Sequence, residues 1–584
     1  MSSYRIDELS VDQLDRIVLP PFQRGFVWTK KKQGEFVETL HDGYPFGTLL
    51  VYPENDNDKD SKLLLLDGQQ RLSTIRNYRK NPLKFWKPLN EERYKSVHDA
   101  VNALLGESSA LSESQFDDLL GKGEGDGTMW VLTNISLSGE DQMRTLRELF
   151  EIINPLKQEI RRYVNLDQLK VPMIVYLGGK EHIADVFANL NKGGVPLSKY
   201  EVFSAAWVGA RIQLRSAEES SLQNDILQYV KQYYLDMSEK AEFDLYDFSE
   251  DELTQERTIT LSELGTALGQ YIVDHLNALV PDVNSAAPEL GFGVLGVAVG
   301  LDNRQLSLLN KDEYRDVIQE SLEEILQKVE RICNNLQSQF AKLLQRFRAE
   351  GSGYENGLST TFKTLSYFAA LWNMDPSSPE YQNALSNIKS AYVFDAITSV
   401  WSSHGDQRLM SYYQGGSRNY DDRLGKEAFL KAFDQWIADQ TPGINFGKDV
   451  KCLVTIHANL SYLSASVPNG ESFELEHIVA RKRIKASEGP GHKRILGSSL
   501  GNCMYLPKGI NNPKKDKTLY EVNEHGRYAQ LIKESQYFTE DQMDAIGRAL
   551  EAQDFDGVND MLRMRSHQVA ESLVNSLLSG TLPG

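Results

Sequence analysis

Helical periodicity fills the middle of this chain, while short strand-like runs and tight turns gather at its two ends. Between about 200 and 440 strand signals are few. From Asp312 to Arg348 apolar residues recur every three to four positions (Val317, Leu322, Ile325, Val329, Ile332, Leu336), the spacing of a long amphipathic helix. Such segregation points to an α+β protein. The pattern predicts an N-terminal domain over 1–215 with a helical insertion at about 84–168, a helical connecting region over 216–440, and a C-terminal domain over 441–584. The length of 584 residues allows large cores without staples. Three cysteines, Cys333, Cys452 and Cys503, form no CxxC pair. That excludes a cysteine-based zinc site, argues against a disulfide framework and suits a reducing cytoplasm. The opening residues carry neither a basic nor an apolar leader segment, and nowhere do ~18 apolar residues run together. The expectation is a cytoplasmic protein without a membrane partner.

At the N-terminal end, Gly47–Tyr52 and Lys62–Leu66 read as short buried strands joined by the polar run Asn55–Ser61. After Asp67-Gly68 the run Gln69–Tyr78 reads as a helix. A second strand, turn and helix unit follows at Val171–Leu177, Gly178-Gly179 and Glu181–Leu190. The glycine-rich piece at 121–128 lacks the ending of a phosphate loop and reads as a surface loop. At Asp67–Arg71, Gly68 supplies free dihedrals, and the helix start favours an anion. Arg71 adds a planar fork suited to phosphate oxygens. Gln69 and Gln70 can donate to phosphate, and Asp67 can hold a divalent metal or orient water. The plainer alternative is that Asp67 caps the helix and pairs with Arg71.

At the other end, Phe473–Val479 reads as a strand ending in the pair Glu476-His477. Asn502 follows 25 residues after His477, and Asn511 nine residues later, with Asn512 as its rival. Phosphodiester hydrolysis needs a base for water and a divalent cation for the charge on phosphate. Neutral His477 suits the first task. Glu476 and Asn511 offer hard oxygens for Mg²⁺ or Mn²⁺, and Asn502 is spaced to orient the imidazole. The net charge is −19, which argues against a surface coated in nucleic acid. A local basic groove remains open, because 480–517 holds ten Lys/Arg against two Asp/Glu. His457 and His492 read as a structural and a surface residue.

The segments PFQRGFVW, ending at Trp28, and LDGQQR, from Leu66, resemble the N-terminal domain of GmrSD-type restriction proteins, as does Asn191–Ser198. Lys192 stands where that family often has Thr. The resemblance implies a ParB/sulfiredoxin-like α/β fold that binds and hydrolyses a nucleoside triphosphate (GTP, ATP or CTP). Its implied site is Gln23, Arg24, Asp67, Gly68, Gln69, Gln70 and Arg71, with Asp67 acting in hydrolysis and Trp28 in packing. The C-terminal segments resemble the ββα-metal (HNH) nuclease domain of the same proteins, with Ala480 and Cys503 where the family often has Pro and Leu. There the resemblance implies catalytic His477 and Asn502, metal ligands Glu476 and Asn511, and phosphate contacts from Lys515 and Lys517. The implied function is a nucleotide-regulated, metal-dependent endonuclease in bacterial defence against phage. Its partners would be DNA carrying a modification such as phosphorothioate, a nucleotide, and further copies of itself. A nucleotide-switched DNA clamp without cleavage and an RNA-directed nuclease are the alternatives.

Overall fold

The computed structural model describes residues 4–18, 28, 30–53, 61–106, 109–135, 142–178, 200, 207, 210–241, 250–280, 286–346, 353–463, 473–491, 493–522, 526 and 528–579. Gln23, Arg24, the segment 191–198, the helix expected at 181–190 and His492 lie outside these residues, as do the side chains of Ile510, Asn512 and Pro513. The fold is mixed α+β, mainly helical, with small sheets. The chain divides into two compact units, one made of 1–209 with 231–256, the other of 210–230 with 257–584. Among the described residues no helix is long and apolar enough to cross a membrane.

The first unit is built on a five-stranded mixed sheet. Its strands are β1 (Tyr4–Ser10), β2 (Ile17–Val18), β3 (Leu49–Pro53), β4 (Leu63–Asp67) and β5 (Lys170–Tyr176), in the order β1-β5-β3-β4-β2. The leucine run works because alternate residues serve different faces. Leu63 and Leu65 join Val51, Val171 and Val175 in a core completed by Leu72, Ile75 and Tyr78. Those last three lie on α2 (Gln69–Lys80), which follows β4 directly, while α1 (Lys30–His41) adds Phe36, Val37 and Leu40. Helices α3 (Pro82–Leu89), α4 (Glu91–Leu105), α5 (Glu113–Gly121), α6 (Glu124–Asn134) and α7 (Gln142–Arg162) form the insertion. They enclose a separate core around Trp86, Tyr94, Phe116 and Leu149.

The expected loop at 121–128 is corrected by α6, which begins one residue after Gly123. Glycine weakens a helix by only about 1 kcal/mol. Here Val131 and Ile135 enter the insertion core, and Gly127 lies beside Phe150 and Lys157 of α7. Packing therefore outweighs the local preference.

The second unit is a helical body carrying two small antiparallel sheets. Strand β6 (Arg211–Gln213) pairs with β7 (Thr258–Thr260), and β8 (Phe473–His477) with β9 (Cys503–Pro507). The long helix runs Asp312–Leu344, with Ile318, Leu322, Ile325, Val329, Ile332 and Leu336 buried. Val317 belongs to the expected apolar stripe but is 46% exposed, because the stripe passes through its neighbour Ile318. The helix Lys448–Leu460 ties this body to β9. Asn459 donates to the carbonyls of Leu343 and Gln345, and Thr455 hydrogen-bonds the Tyr505 hydroxyl.

Candidate functional site

In the first unit the strand β4 ends at Asp67 and the chain reverses into α2 through Gly68, whose φ of 101° lies in the left-handed region that glycine tolerates. The first helical bond closes from Leu72 N–H to the Gly68 carbonyl, which leaves the earlier N–H groups of α2 without helical partners. Asp67 does not cap the helix; Gly68 is the cap. The Arg71 guanidinium donates to Asp67 Oδ2 at 3.0 Å and to the Thr48 carbonyl at 2.9 Å. It lies against Gly47 and Gly68, where a Cβ would come within 2.8 and 3.3 Å of its nitrogens. Its Nε is buried with no hydrogen-bond partner among the described residues. Gln70 Oε1 accepts from Trp28 N–H at 3.0 Å, so the two N-terminal motifs meet at this turn. Trp28 packs edge-on against Phe36. Gln69 is half-buried at the helix start.

The second unit carries a different arrangement. Strands β8 and β9 place His477 opposite Cys503 and Glu476 opposite Met504. His477 is 7% exposed, stacked under Phe446 at 4.0 Å, with Nε2 2.7 Å from the Ile444 carbonyl. A carbonyl only accepts, so Nε2 carries the proton and Nδ1 keeps the lone pair. Burial pushes the imidazole down to about 4. The Ile444 bond opposes this, and the charges of Arg481 and Lys514 add to it. His477 is therefore neutral at pH 7.

Asn502 is wholly buried behind this histidine. Its Oδ1 accepts from Val479 N–H at 2.7 Å and its Nδ2 donates to the Gly497 carbonyl at 2.8 Å. Its backbone carbonyl takes Ile478 N–H at 2.9 Å. Asn502 thus fixes the turn that follows His477, while the imidazole itself is oriented by Ile444 and Phe446.

The helix Lys508–Lys514 supplies the other groups. Asn511 Nδ2 donates to Glu474 Oε2 at 3.0 Å. Lys514 lies three residues on, one turn along the same face. It donates to Glu476 Oε1 and to the His477 carbonyl, each at 3.2 Å. Glu474 and Glu476 are two apart on β8 and share one face of the strand. Among the described residues no group of three or more His, Cys, Asp or Glu could hold a metal ion. The seam instead offers two carboxylates and one amide oxygen. That donor set fits Mg²⁺ or Mn²⁺, which keep several waters and need only one or two carboxylates.

Around the seam, Arg481, Lys482, Lys485, Lys493, Arg494, Lys508, Lys515 and Lys517 are exposed. Lys515 has a φ of 49°, a conformation uncommon for a residue with a Cβ.

Five contributors have no place among the sequence expectations: Ile444, Phe446, Glu474, Lys514 and Arg565. Glu474 shows only as the i−2 neighbour of Glu476, and Lys514 as the i+3 neighbour of Asn511. Arg565, on the helix Phe555–Ser579, is 1% exposed and donates to the carbonyls of Leu500, Gly501, Cys503, Ser535 and Gln536. Burial pulls its guanidinium down to about 10. Gly501 comes so close to this helix that a Cβ would sit 1.8 Å from the Leu562 carbonyl. His457 is buried, its imidazole pushed down to about 3 by burial and by Arg565. Cys503 is buried within β9.

Residues 6–208 match the family model of the GmrSD restriction endonuclease N-terminal domain. That part of the chain is thus similar to the N-terminal domain of GmrSD restriction endonucleases, and the match does not extend to the second unit's β8 and β9. An uncharacterized protein of Methanocaldococcus jannaschii is 25% identical over 250 residues, covering 36% of this chain and 42% of that protein. The chain thus spans less than half the length of that curated relative.

Proposed function

We propose that this protein is a nucleotide-regulated, metal-dependent DNA endonuclease of a restriction system, with an HNH-type nuclease centred on His477. The observation that supports this most is the state of His477: a neutral imidazole, its proton held on Nε2 by the Ile444 carbonyl, with Nδ1 left as a base. A pure DNA grip has no use for a preset base.

In this reading Glu474, Glu476 and Asn511 hold a Mg²⁺ or Mn²⁺ ion, which when bound stabilises negative charge on the phosphate and the leaving oxygen. His477 Nδ1 takes a proton from the attacking water as its oxygen bonds to phosphorus and the bond to the leaving sugar oxygen breaks. The resulting imidazolium is stabilised by the nearby phosphate and by the Nε2–H bond to Ile444. Asn502 keeps the turn in register, and the exposed lysines and arginines around the seam, Lys515 and Lys517 among them, position the phosphate backbone.

The first unit binds the nucleoside triphosphate at the Asp67–Arg71 turn. Its phosphate takes over the half-exposed Arg71 fork from Asp67, freeing the carboxylate for water or metal. Gln69 and Gln70 adjoin the phosphates, with Gln23 and Arg24 contributing from the preceding motif. The same unit reads the modified DNA, and nucleotide hydrolysis governs cleavage.

The test is a cleavage assay with plasmid carrying or lacking phosphorothioate, and with RNA. Each is incubated with and without Mn²⁺ and with GTP, ATP or CTP in turn. Metal-dependent nicking of DNA that changes with one nucleotide supports the reading. Binding without cleavage under every condition points to a clamp, and cleavage of RNA alone points to an RNA-directed nuclease.

A further inference from the structure

The run Lys514-Lys515-Asp516-Lys517 contains three lysines, yet they are not alike. Lys515 and Lys517 are exposed, whereas the Lys514 side chain is 0% exposed. A lysine withheld from solvent cannot greet a phosphate arriving from outside, so it serves something inside. A buried ammonium is tolerated only when it is paired and hydrogen-bonded. The partners of Lys514 are a carboxylate oxygen of Glu476 and the carbonyl of His477. One cation therefore touches both members of the acid–histidine pair.

The charge balance of the seam follows. Glu474 and Glu476 bring two negative charges, and Lys514 offsets one of them. Asn511, one turn earlier on the same helix, engages Glu474 by its amide. The helix thus sets a neutral donor against one carboxylate and a positive charge against the other. A divalent ion approaching Glu476 meets a like charge already in place.

We propose that Lys514 is a resident counter-cation of the seam: it holds Glu476 and the His477 peptide in position before a divalent ion arrives, and it lowers the affinity of the seam for that ion. The proposal rests on reading the seam as the metal-dependent nuclease site. Lys514 is a positioning residue here, acting through Glu476 and His477. Its role makes bound metal easy to lose, so that occupancy tracks the ion concentration rather than being permanent.

The test uses the full-length protein and Mn²⁺ alone, with free Mn²⁺ followed by electron paramagnetic resonance and thermal melts recorded in EDTA and in Mn²⁺. Wild type binds Mn²⁺, and Glu476→Gln binds it more weakly. Lys514→Met binds Mn²⁺ at least about tenfold more tightly, the scale on which one neighbouring charge shifts an ionic equilibrium. The same variant melts below wild type in EDTA and recovers most of that deficit in Mn²⁺, because the ion replaces the missing charge. An unchanged or weakened Mn²⁺ affinity in Lys514→Met, with wild type binding normally, overturns the counter-cation. A folding defect that Mn²⁺ leaves uncorrected also overturns it, since Lys514 would then be structural only. If wild type and Glu476→Gln alike ignore Mn²⁺, the metal-dependent reading itself falls and takes this proposal with it.

Discussion

The turn at Asp67–Arg71 and the seam at Glu474–Lys514 use the same kinds of side chain in opposite ways. In the first, an arginine and a carboxylate four residues apart pair while 24% and 42% exposed, and the arginine's one backbone anchor is the Thr48 carbonyl among the described residues. Such pairs contribute little, about 0–1 kcal/mol, so a phosphate can displace one at small cost. In the second, the histidine, asparagine and lysine are buried and bound to backbone carbonyls and amides that cannot move away. Under the proposed function, the comparison makes one site an arrangement that its ligand completes and the other an arrangement set in advance. A sensor benefits from the first arrangement, and a catalytic base, which must be held in productive geometry, from the second.

The largest effect that can break this contrast concerns Arg565. Arg565→Met removes five hydrogen bonds to carbonyls, four of them buried, and a loss of about 3–5 kcal/mol in urea unfolding is expected. Arg71→Ala, by contrast, shifts unfolding by about 1 kcal/mol or less. Equal losses in the two variants would erase the distinction between a locked and a loose site.

A smaller effect is expected on nucleotide binding. Arg71→Ala weakens calorimetric affinity for the preferred nucleotide by about tenfold or more, because a charge-assisted fork to phosphate is lost. Asp67→Ala slows hydrolysis more than it weakens binding. Unchanged affinity in the double variant Asp67→Ala, Arg71→Ala removes the turn from the nucleotide site.

Smaller again is the response to pH. His477 and His457 have folded values near 4 and 3, below the ordinary 6.5. The unfolded chain therefore takes up protons first as pH falls, and these groups' contribution to stability is fully present above about 6.5 and lost toward 4 and 3. Melting temperature falls from pH 7 to pH 5, and His477→Phe flattens part of that slope. Over the same range kcat/KM for nicking stays within about twofold, since the free enzyme's base remains unprotonated. An inflection of kcat/KM near 6.5 would mean that the imidazole is solvated.

The strands and the helix at the first turn were legible because their signals are local. Leu63–Leu66, Asp67-Gly68 and the helical run beyond them follow one another directly, and the structure returns β4, the Gly68 turn and α2. The insertion helices were legible as periodicity, apart from α6, whose glycines outweighed its apolar residues on paper but not in the packed core. The acid–histidine pair stood out by its chemistry. Its supports did not. Ile444 and Phe446 lie some 30 residues before His477 and act through a carbonyl and a ring face, neither of which leaves a motif. Arg565 lies more than 60 residues after the carbonyls of Leu500, Gly501 and Cys503 that it binds. On sequence alone it reads as an ordinary charge on a helix. Lys514 reads as one member of a basic run until burial separates it from Lys515 and Lys517.

The most direct test of the central claim is single-turnover nicking of supercoiled plasmid in Mn²⁺ by wild type and His477→Ala, both checked for native melting. Loss of a general base typically costs about 10²–10⁴ in rate. A drop of that size in His477→Ala, with nucleotide hydrolysis at the wild-type rate, is the predicted result. Nicking by His477→Ala at the wild-type rate would contradict the account.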